Sequence, residues 1–159
     1  MSTLVVFYSL DGNTQFIAQT IAGTVGADLV MLHPRKDYPQ TGARKYVWGG
    51  KSVLFGETPE LTNDTIDWNS YDTIFIGTPI WAGSYAPPIK TFLSQYPIQG
   101  KRIALFACHR GGGAEKCFQK LRDHLSQNVV LGEMAFTEPK RDPDQNAEKA
   151  VTWVKQLSI

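Results

Sequence analysis

The sequence predicts an α/β protein whose helices cover both faces of a five-stranded parallel sheet. Short, continuous apolar runs alternate along the chain with longer stretches in which apolar residues recur at helical spacing. Such runs are typical of strands that are buried on both faces, as in a parallel sheet between two helical layers. Small polar residues or glycines follow three of the runs. Sheets of this class bind ligands beyond the carboxyl ends of their strands, so we expect a functional site at these three loops.

Five segments are predicted to be strands. The strongest are 3–8 (TLVVFY), 72–77 (DTIFIG) and 102–108 (RIALFAC), which are short and rich in β-branched or aromatic residues. Segments 27–33 (ADLVMLH) and 128–136 (NVVLGEMAF) are weaker examples of the same pattern.

Four further segments are predicted to be helices, at 14–25, 87–96, 114–125 and 144–157. Each places apolar residues on one helical face, and glycine or proline stands at several of the expected ends. Segment 41–57 is ambiguous, and we interpret it as a helix interrupted at two adjacent glycines. The alternation of strand and helix implies right-handed crossovers. A chain of 159 residues suits one domain that spans 1–159.

The composition argues against several classes of protein. Lys and Arg number 16 and Asp and Glu 15, so the net charge of +1 indicates neither a nucleic-acid-binding surface nor an acidic tail. No apolar run approaches the length of a membrane span, and no signal peptide is evident at the start, so we expect a cytoplasmic protein without membrane association. Cys108 and Cys117 are predicted to be free thiols. The histidines and cysteines lack metal-ligand spacing, and no metal is expected.

The stretch YSLDGNTQ joins the first predicted strand to the first predicted helix. It carries short oxygen-bearing side chains and Gly12, but no lysine, arginine or histidine. The N–H groups and the positive dipole end at the start of a helix attract anions. The stretch therefore fits a phosphate site that binds through dipoles and hydroxyls rather than through charge. A plain strand-to-helix turn, with Asp11 or Asn13 as the cap, is an equally good interpretation of this stretch alone.

Two further loops follow predicted strands. In GTPIWAGSYAPP, Thr78 is placed to reach the same phosphate, Trp81 and Tyr85 offer flat apolar faces, and Gly83 lets the backbone reorient. In CHRGGGAE, the glycines would let a planar ring approach the backbone closely. Each loop has a simpler explanation when it is taken alone, as a plug at the sheet end or as a mobile glycine loop. Together with the first loop, they favour a phosphorylated aromatic ligand.

These residues resemble a known family. The stretch VVFYSLDGNTQFIAQTI resembles the flavodoxin signature: two aliphatics, an aromatic, a serine two positions on, then glycine, threonine and a later alanine. The stretch IFIGTPIWAGSYAPPIKTFL is similar to the second flavin loop of short flavodoxin-like proteins, and FACHRGGGAE to the third. The resemblance spans essentially the whole chain. It implies a flavodoxin-like three-layer sandwich with strand order 2-1-3-4-5, and non-covalently bound flavin mononucleotide (FMN).

The resemblance also implies which residues bind FMN. The first loop would hold the phosphate through Ser9, Leu10, Asp11, Gly12, Asn13, Thr14 and Gln15. The second would line one side of the isoalloxazine ring with Thr78, Pro79, Ile80, Trp81, Ala82 and Gly83, among which Trp81 is the expected stacking ring. The third would border the pyrimidine edge with Cys108, His109, Gly111 and Gly112. Asp11 departs from the pattern, because many members have threonine there. We expect it to cap backbone N–H groups and to face away from the phosphate.

Several side chains near these loops have two interpretations. Whether Tyr85 covers the outer face of the flavin is open. Trp48 is interpreted as buried packing rather than as a lid over the cofactor. A positive charge from His109 or Arg110 near the ring would favour the anionic reduced flavin, but we expect both side chains to point into solvent.

The resemblance implies an electron-transfer protein that cycles FMN between redox states and meets redox partner proteins, as a monomer or weak homodimer. Flavodoxins that carry electrons are typically strongly acidic, whereas this chain is nearly neutral. Either its acids cluster around the flavin, or its partner differs, or it is not a carrier. The alternative function is an FMN-dependent NAD(P)H oxidoreductase that reduces quinones or similar small acceptors. A flavodoxin-shaped module without flavin is a third interpretation, and colourless protein that ignores FMN would favour it.

Overall fold

The computed structural model describes residues 1–36, 38–39, 50–51, 53 and 56–159. The strands in this part of the chain are β1 (Thr3–Phe7), β2 (Asp28–Met31), β3 (Thr73–Trp81), β4 (Ser84–Tyr85), β5 (Arg102–His109) and β6 (Val129–Thr137). The helices are α1 (Asn13–Val25), α2 (Pro87–Gln95), α3 (Ala114–His124) and α4 (Pro143–Gln156), with short 3-10 helices at Trp68–Ser70 and Pro139–Arg141. The helix predicted within 41–57 lies largely outside the described residues, and Trp48 lies wholly outside them.

All the strands except β4 form a parallel sheet in the order β2-β1-β3-β5-β6. This order confirms the predicted 2-1-3-4-5, with β5 and β6 as the fourth and fifth predicted strands. Val5 of β1 lies between Leu29 of β2 and Phe75 of β3. The order of the strands therefore reverses at β1, and a crevice forms beyond the carboxyl ends of β1 and β3.

The sheet is buried between two helical layers. Side chains of β1 alternate between the layers. Leu4 and Val6 belong to the core cluster that contains residues of α2 and α3, and Val5 and Phe7 belong to the cluster that contains residues of α1 and α4. The predicted three-layer sandwich is confirmed.

Strand β3 is longer than the sequence predicted. It continues past Gly77 to Trp81 and turns back into β4, where Trp81 pairs with Ser84. The turn residues Ala82 and Gly83 have positive φ angles of 50° and 71°, as in a type I′ turn. The second predicted loop is therefore largely a β-hairpin. The sequence analysis missed the hairpin because Ala-Gly is not among the residue pairs that signal this turn.

Neither cysteine forms a disulfide. Cys108 and Cys117 are buried free thiols, and burial raises the pKa of each to about 12, which disfavours thiolate chemistry. Within the described part of the chain, no helix combines the length and the apolar character needed to cross a lipid bilayer. The same residues contain no group of three His, Cys, Asp or Glu side chains arranged to hold a metal ion.

Candidate functional site

A cavity of about 370 Å³ lies at the carboxyl ends of the strands, where the loops after β1, β5 and β6 meet the β3–β4 hairpin. Most of its lining was predicted to bind cofactor, namely Asp11, Asn13, Pro79, Ile80, Trp81, Ala82, Cys108 and His109. Among the described residues, Gly50, Arg110 and Glu138 also line it without having been predicted as binding residues. The other predicted site residues belong to the same three loops but do not line the cavity, namely Ser9, Leu10, Gly12, Thr14, Gln15, Thr78, Gly83, Gly111 and Gly112.

The loop after β1 is tied together by its own short side chains. Ser9 Oγ accepts a hydrogen bond from the Gly12 amide at 3.2 Å, and Asp11 Oδ1 accepts one from the Asn13 amide at 3.1 Å. Asp11 thus caps a backbone N–H group as expected, although it is also among the residues that line the cavity. Gly12 has a φ of 93°, a backbone conformation that side-chain-bearing residues rarely adopt.

The first turn of α1 carries polar groups without partners. The Thr14 side chain is buried, and its hydroxyl makes no hydrogen bond to any described residue. The first hydrogen bond within the helix runs from the Phe16 amide to Gly12 O. The backbone amides of Thr14 and Gln15 come before it, and no described residue accepts a hydrogen bond from either amide. Burial raises the pKa of the nearby Cys108 thiol and the Thr14 hydroxyl opposes this shift, but the two groups are outside hydrogen-bond geometry. An unpaired buried hydroxyl costs free energy, which an oxygen-rich ligand would offset.

Lys140 adds a positive charge to this loop. Its Nζ donates to Asp11 O at 3.0 Å, and its backbone N donates to Asn13 Oδ1 at 3.1 Å. A methyl group placed on Gly12 would lie 2.9 Å from the same ammonium. The loop itself has no basic side chain, but a lysine from a distant part of the chain lies against it. Sequence reasoning missed Lys140 because it lies 129 residues from Asp11 along the chain.

Trp81 lies on the wall of the cavity, and two tyrosines hold its ring. The Tyr8 and Tyr38 rings meet it edge to face, with centroids at 5.8 Å and 5.1 Å. Both tyrosines are buried, so packing sets the orientation of the indole. The sequence analysis assigned no site role to either tyrosine, since Tyr8 belongs to an apolar run and Tyr38 follows a weak strand.

Thr78 has a structural role within the hairpin. Its hydroxyl donates to Pro79 O at 2.8 Å and accepts from the Ala86 amide at 2.9 Å, and the residue is fully buried. The expectation that it reaches the phosphate is corrected, because its single proton is already donated inside the hairpin.

Arg110 is exposed, as expected, although it also lines the cavity, whereas His109 is only partly exposed, contrary to the expectation. His109 Nδ1 lies 3.0 Å from the Gly112 amide, which donates to it, so Nδ1 is unprotonated and the ring is neutral. Arg110 Nε lies 3.1 Å from Glu138 Oε1, and Arg141 pairs with the other oxygen of the same carboxylate at 3.3 Å. The loops after β5 and β6 are therefore joined by an ion pair at the cavity.

The lowered pKa of His109 leads us to expect that the stability of the protein depends on pH. Burial, followed by the charge of Lys149, lowers the pKa of His109 below its ordinary value of 6.5. The unfolded chain then binds more protons than the folded protein between these two pKa values, so the stability conferred by the neutral ring is lost as the pH falls below 6.5. We expect the free energy of unfolding, measured with urea, to decrease between about pH 7.5 and about pH 5.5. The H109Q variant should show a smaller decrease, and an equal decrease in both proteins would contradict the assignment.

Other cavities lined by described residues lie outside this site. Tyr85 lines a separate cavity of about 190 Å³ together with Lys90 and Lys120, so it does not line the candidate site. A larger groove of about 600 Å³ lies between β6 and α4 and has Glu138 in common with the site. Its walls come mostly from polar side chains of α4 rather than from the strand-end loops.

Comparison with known proteins agrees with this geometry. The family model described as Flavodoxin matches residues 2–145. The chain belongs to the flavodoxin family. The predicted family and its fold are thereby confirmed.

Solved structures of similar proteins extend the comparison. A flavoprotein from Lactobacillus acidophilus in complex with FMN is 24% identical over 91% of this chain and 98% of that one, with a TM-score of 0.74. The NMR structure of the apo-form of the flavoprotein from the same organism is 25% identical over 89% and 95%, with a TM-score of 0.67. An NADPH-quinone reductase from P. pentosaceus is 13% identical over 98% and 96%, with a TM-score of 0.58. These structures show that the fold is shared.

Proposed function

We propose that this member of the flavodoxin family binds FMN in the cavity and acts as an electron-transfer protein. The observation that carries the proposal is the buried, unpartnered Thr14 hydroxyl in the first turn of α1, directly after the loop whose Asp11 lines the same cavity as Trp81. The hydroxyl and the two neighbouring amides suit phosphate oxygens, and the indole suits a flat ring. Family membership and the FMN in one similar structure support the same cofactor.

The flavin supplies the redox chemistry when it is bound, and the protein orients it and sets the charge around it. His109 is neutral, and Arg110 pairs with Glu138, which also pairs with Arg141. The loop after β5 therefore presents a neutral imidazole and a guanidinium whose charge Glu138 offsets only in part. The neutral imidazole favours a carrier, because a strong positive charge there would favour the anionic, fully reduced flavin.

The cavity is small for a ligand site, and the charges around it are mixed. A volume of about 370 Å³ is near the lower end of the range for small-molecule sites, roughly 300–1,000 Å³. The charges near the cavity are mixed, with Arg110, Lys140 and Arg141 beside Asp11 and Glu138. The acidic side chains do not outnumber the basic ones among these described residues. We therefore propose redox partner proteins whose docking surfaces are less basic than the surfaces of the proteins that bind strongly acidic flavodoxins.

Titration of the apoprotein with FMN tests cofactor binding. We expect uptake of one FMN per chain in isothermal titration calorimetry, with quenching of flavin fluorescence, because the ring would contact Trp81. Bovine serum albumin at the same concentration is the control for non-specific uptake. Absence of heat and of quenching would overturn the proposed cofactor.

Anaerobic mixing with NADPH or NADH distinguishes the carrier from the alternative reductase. The alternative is tested because the fold is similar to that of an NADPH-quinone reductase. We expect the yellow absorption of the FMN-loaded protein to persist for minutes with either nucleotide and to bleach at once with dithionite. Rapid bleaching by a nucleotide, followed by recolouring on addition of a quinone, would establish the reductase instead.

A further inference from the structure

We propose that Lys140 is the cationic partner of the FMN phosphate and that it makes the protein select FMN over riboflavin. This inference rests on the proposed function and concerns a residue outside all three predicted loops. The phosphate loop itself has no basic side chain, so any positive charge at the phosphate must come from elsewhere in the fold.

The structure places Lys140 at the loop through two independent hydrogen bonds. The backbone amide of Lys140 donates to Asn13 Oδ1, and its Nζ donates to Asp11 O at 3.0 Å. The residue belongs to the 3-10 helix Pro139–Arg141, which directly follows β6 and packs against α1. The ammonium is therefore held at the N-terminal end of α1 by the backbone and not only by a flexible side chain.

The Lys140 ammonium has N–H donors that make no hydrogen bond to the described residues. A lysine ammonium carries three N–H donors, and one of them is used by Asp11 O. Glu138, the carboxylate next to it in the chain, is already shared by Arg110 and Arg141. In the described part of the chain no carboxylate forms an ion pair with Lys140, so its charge is available to an anion.

The groups around the ammonium suit a phosphate monoester. The Thr14 hydroxyl is buried and unpartnered, and the amides of Thr14 and Gln15 have no described acceptor. A phosphate monoester has a charge of about −1.5 to −2 at neutral pH and offers three acceptor oxygens. The hydroxyl and amides supply dipoles, and Lys140 supplies the compensating charge. Riboflavin lacks the phosphate, so neither these dipoles nor the charge of Lys140 would increase its affinity.

The test compares FMN with riboflavin on the K140M variant. Loss of a charge-assisted hydrogen bond should raise the Kd for FMN about 10- to 100-fold, while the Kd for riboflavin, measured by the same fluorescence titration, stays unchanged. The dependence of the FMN Kd on salt should also become weaker. K140R should restore most of the affinity for FMN. K101M is the matched control, because Lys101 Nζ likewise donates to one backbone carbonyl, Asn69 O at 2.9 Å, but at the opposite end of β5.

A phosphorus NMR titration separates a charge effect from a change in loop shape. A nearby ammonium favours the dianion, so the phosphate of bound FMN should have a higher pKa in K140M than in the wild-type protein and in K101M. A shift in Kd without a shift in this pKa would mean that Lys140 only shapes the loop, and it would overturn the inference. Unchanged discrimination between FMN and riboflavin would also overturn it. Failure of the wild-type protein to bind FMN would instead refute the proposed function.

Discussion

Replacement of Gly77 by alanine is expected to lower the free energy of unfolding by about 3 kcal/mol or more, with part of the protein unfolded at 37 °C. An added Cβ would lie 2.1 Å from Cζ and 2.3 Å from Cε2 of Phe106. That ring is fully buried in the middle of the sheet, and cores packed to crystal density have no space to receive it. Urea unfolding followed by circular dichroism measures the loss.

Two variants control this prediction. Gly23 lies in α1 with nothing within 4 Å of the position of an added Cβ, so G23A should raise stability by about 0.5–1 kcal/mol. The double variant G77A/F106L should recover part of the loss caused by G77A, because leucine removes the ring atoms that the new Cβ meets. Additive effects of the two substitutions would contradict the proposed clash.

Replacement of Thr14 by valine is expected to change the stability of the apoprotein and the affinity for FMN in opposite directions. Valine keeps the shape of threonine and removes the buried hydroxyl that has no partner. The apoprotein should gain about 1 kcal/mol, since the cost of an unsatisfied polar group disappears. The Kd for FMN should rise about 10- to 100-fold, because a hydrogen bond to a charged phosphate is lost. Thermal unfolding without FMN and calorimetric titration with it measure the two effects.

The comparison variants for Thr14 isolate the hydroxyl. T14S keeps the oxygen and should keep most of the affinity for FMN. T20V removes a hydroxyl from the same helix that already donates to Phe16 O at 2.9 Å, and it should leave the Kd for FMN unchanged. If T14V binds FMN as tightly as the wild-type protein, the Thr14 hydroxyl is not part of the phosphate site.

Local pattern was sufficient to predict the five strands of the parallel sheet and most of the helix positions, but not strand β4 or the extension of β3 to Trp81. Continuous β-branched runs such as 3–8 indicate burial on both faces wherever they occur. The cluster of short oxygen-bearing side chains and Gly12 before α1 is compatible with an anion site and equally with a plain strand-to-helix turn. These signals are carried by residues that are close together in the chain, so they are readable without the fold.

The contacts that complete the site were not predictable in this way. Lys140 reaches Asp11 across 129 residues, and Glu138 joins Arg110 across 28. Nothing in the local sequence of either residue specifies its partner. The neutral state of His109 likewise depends on a hydrogen bond from Gly112, which exists only because the loop after β5 folds back on itself.

The sequence by itself therefore determined the order of the five parallel strands and of the helices between them, because hydrophobic period and turn chemistry are local properties, and its motifs identified the family. Only the tertiary structure decided the β3–β4 hairpin, the use of the Thr78 hydroxyl within it and the positive charge at the first loop. The hairpin and the Thr78 hydrogen bond join residues that are near one another in the chain, but the local sequence carries no recognised signal for that turn. The positive charge depends on the approach of Lys140 to the loop after β1, which becomes possible because the parallel sheet gathers the carboxyl ends of its strands at one edge.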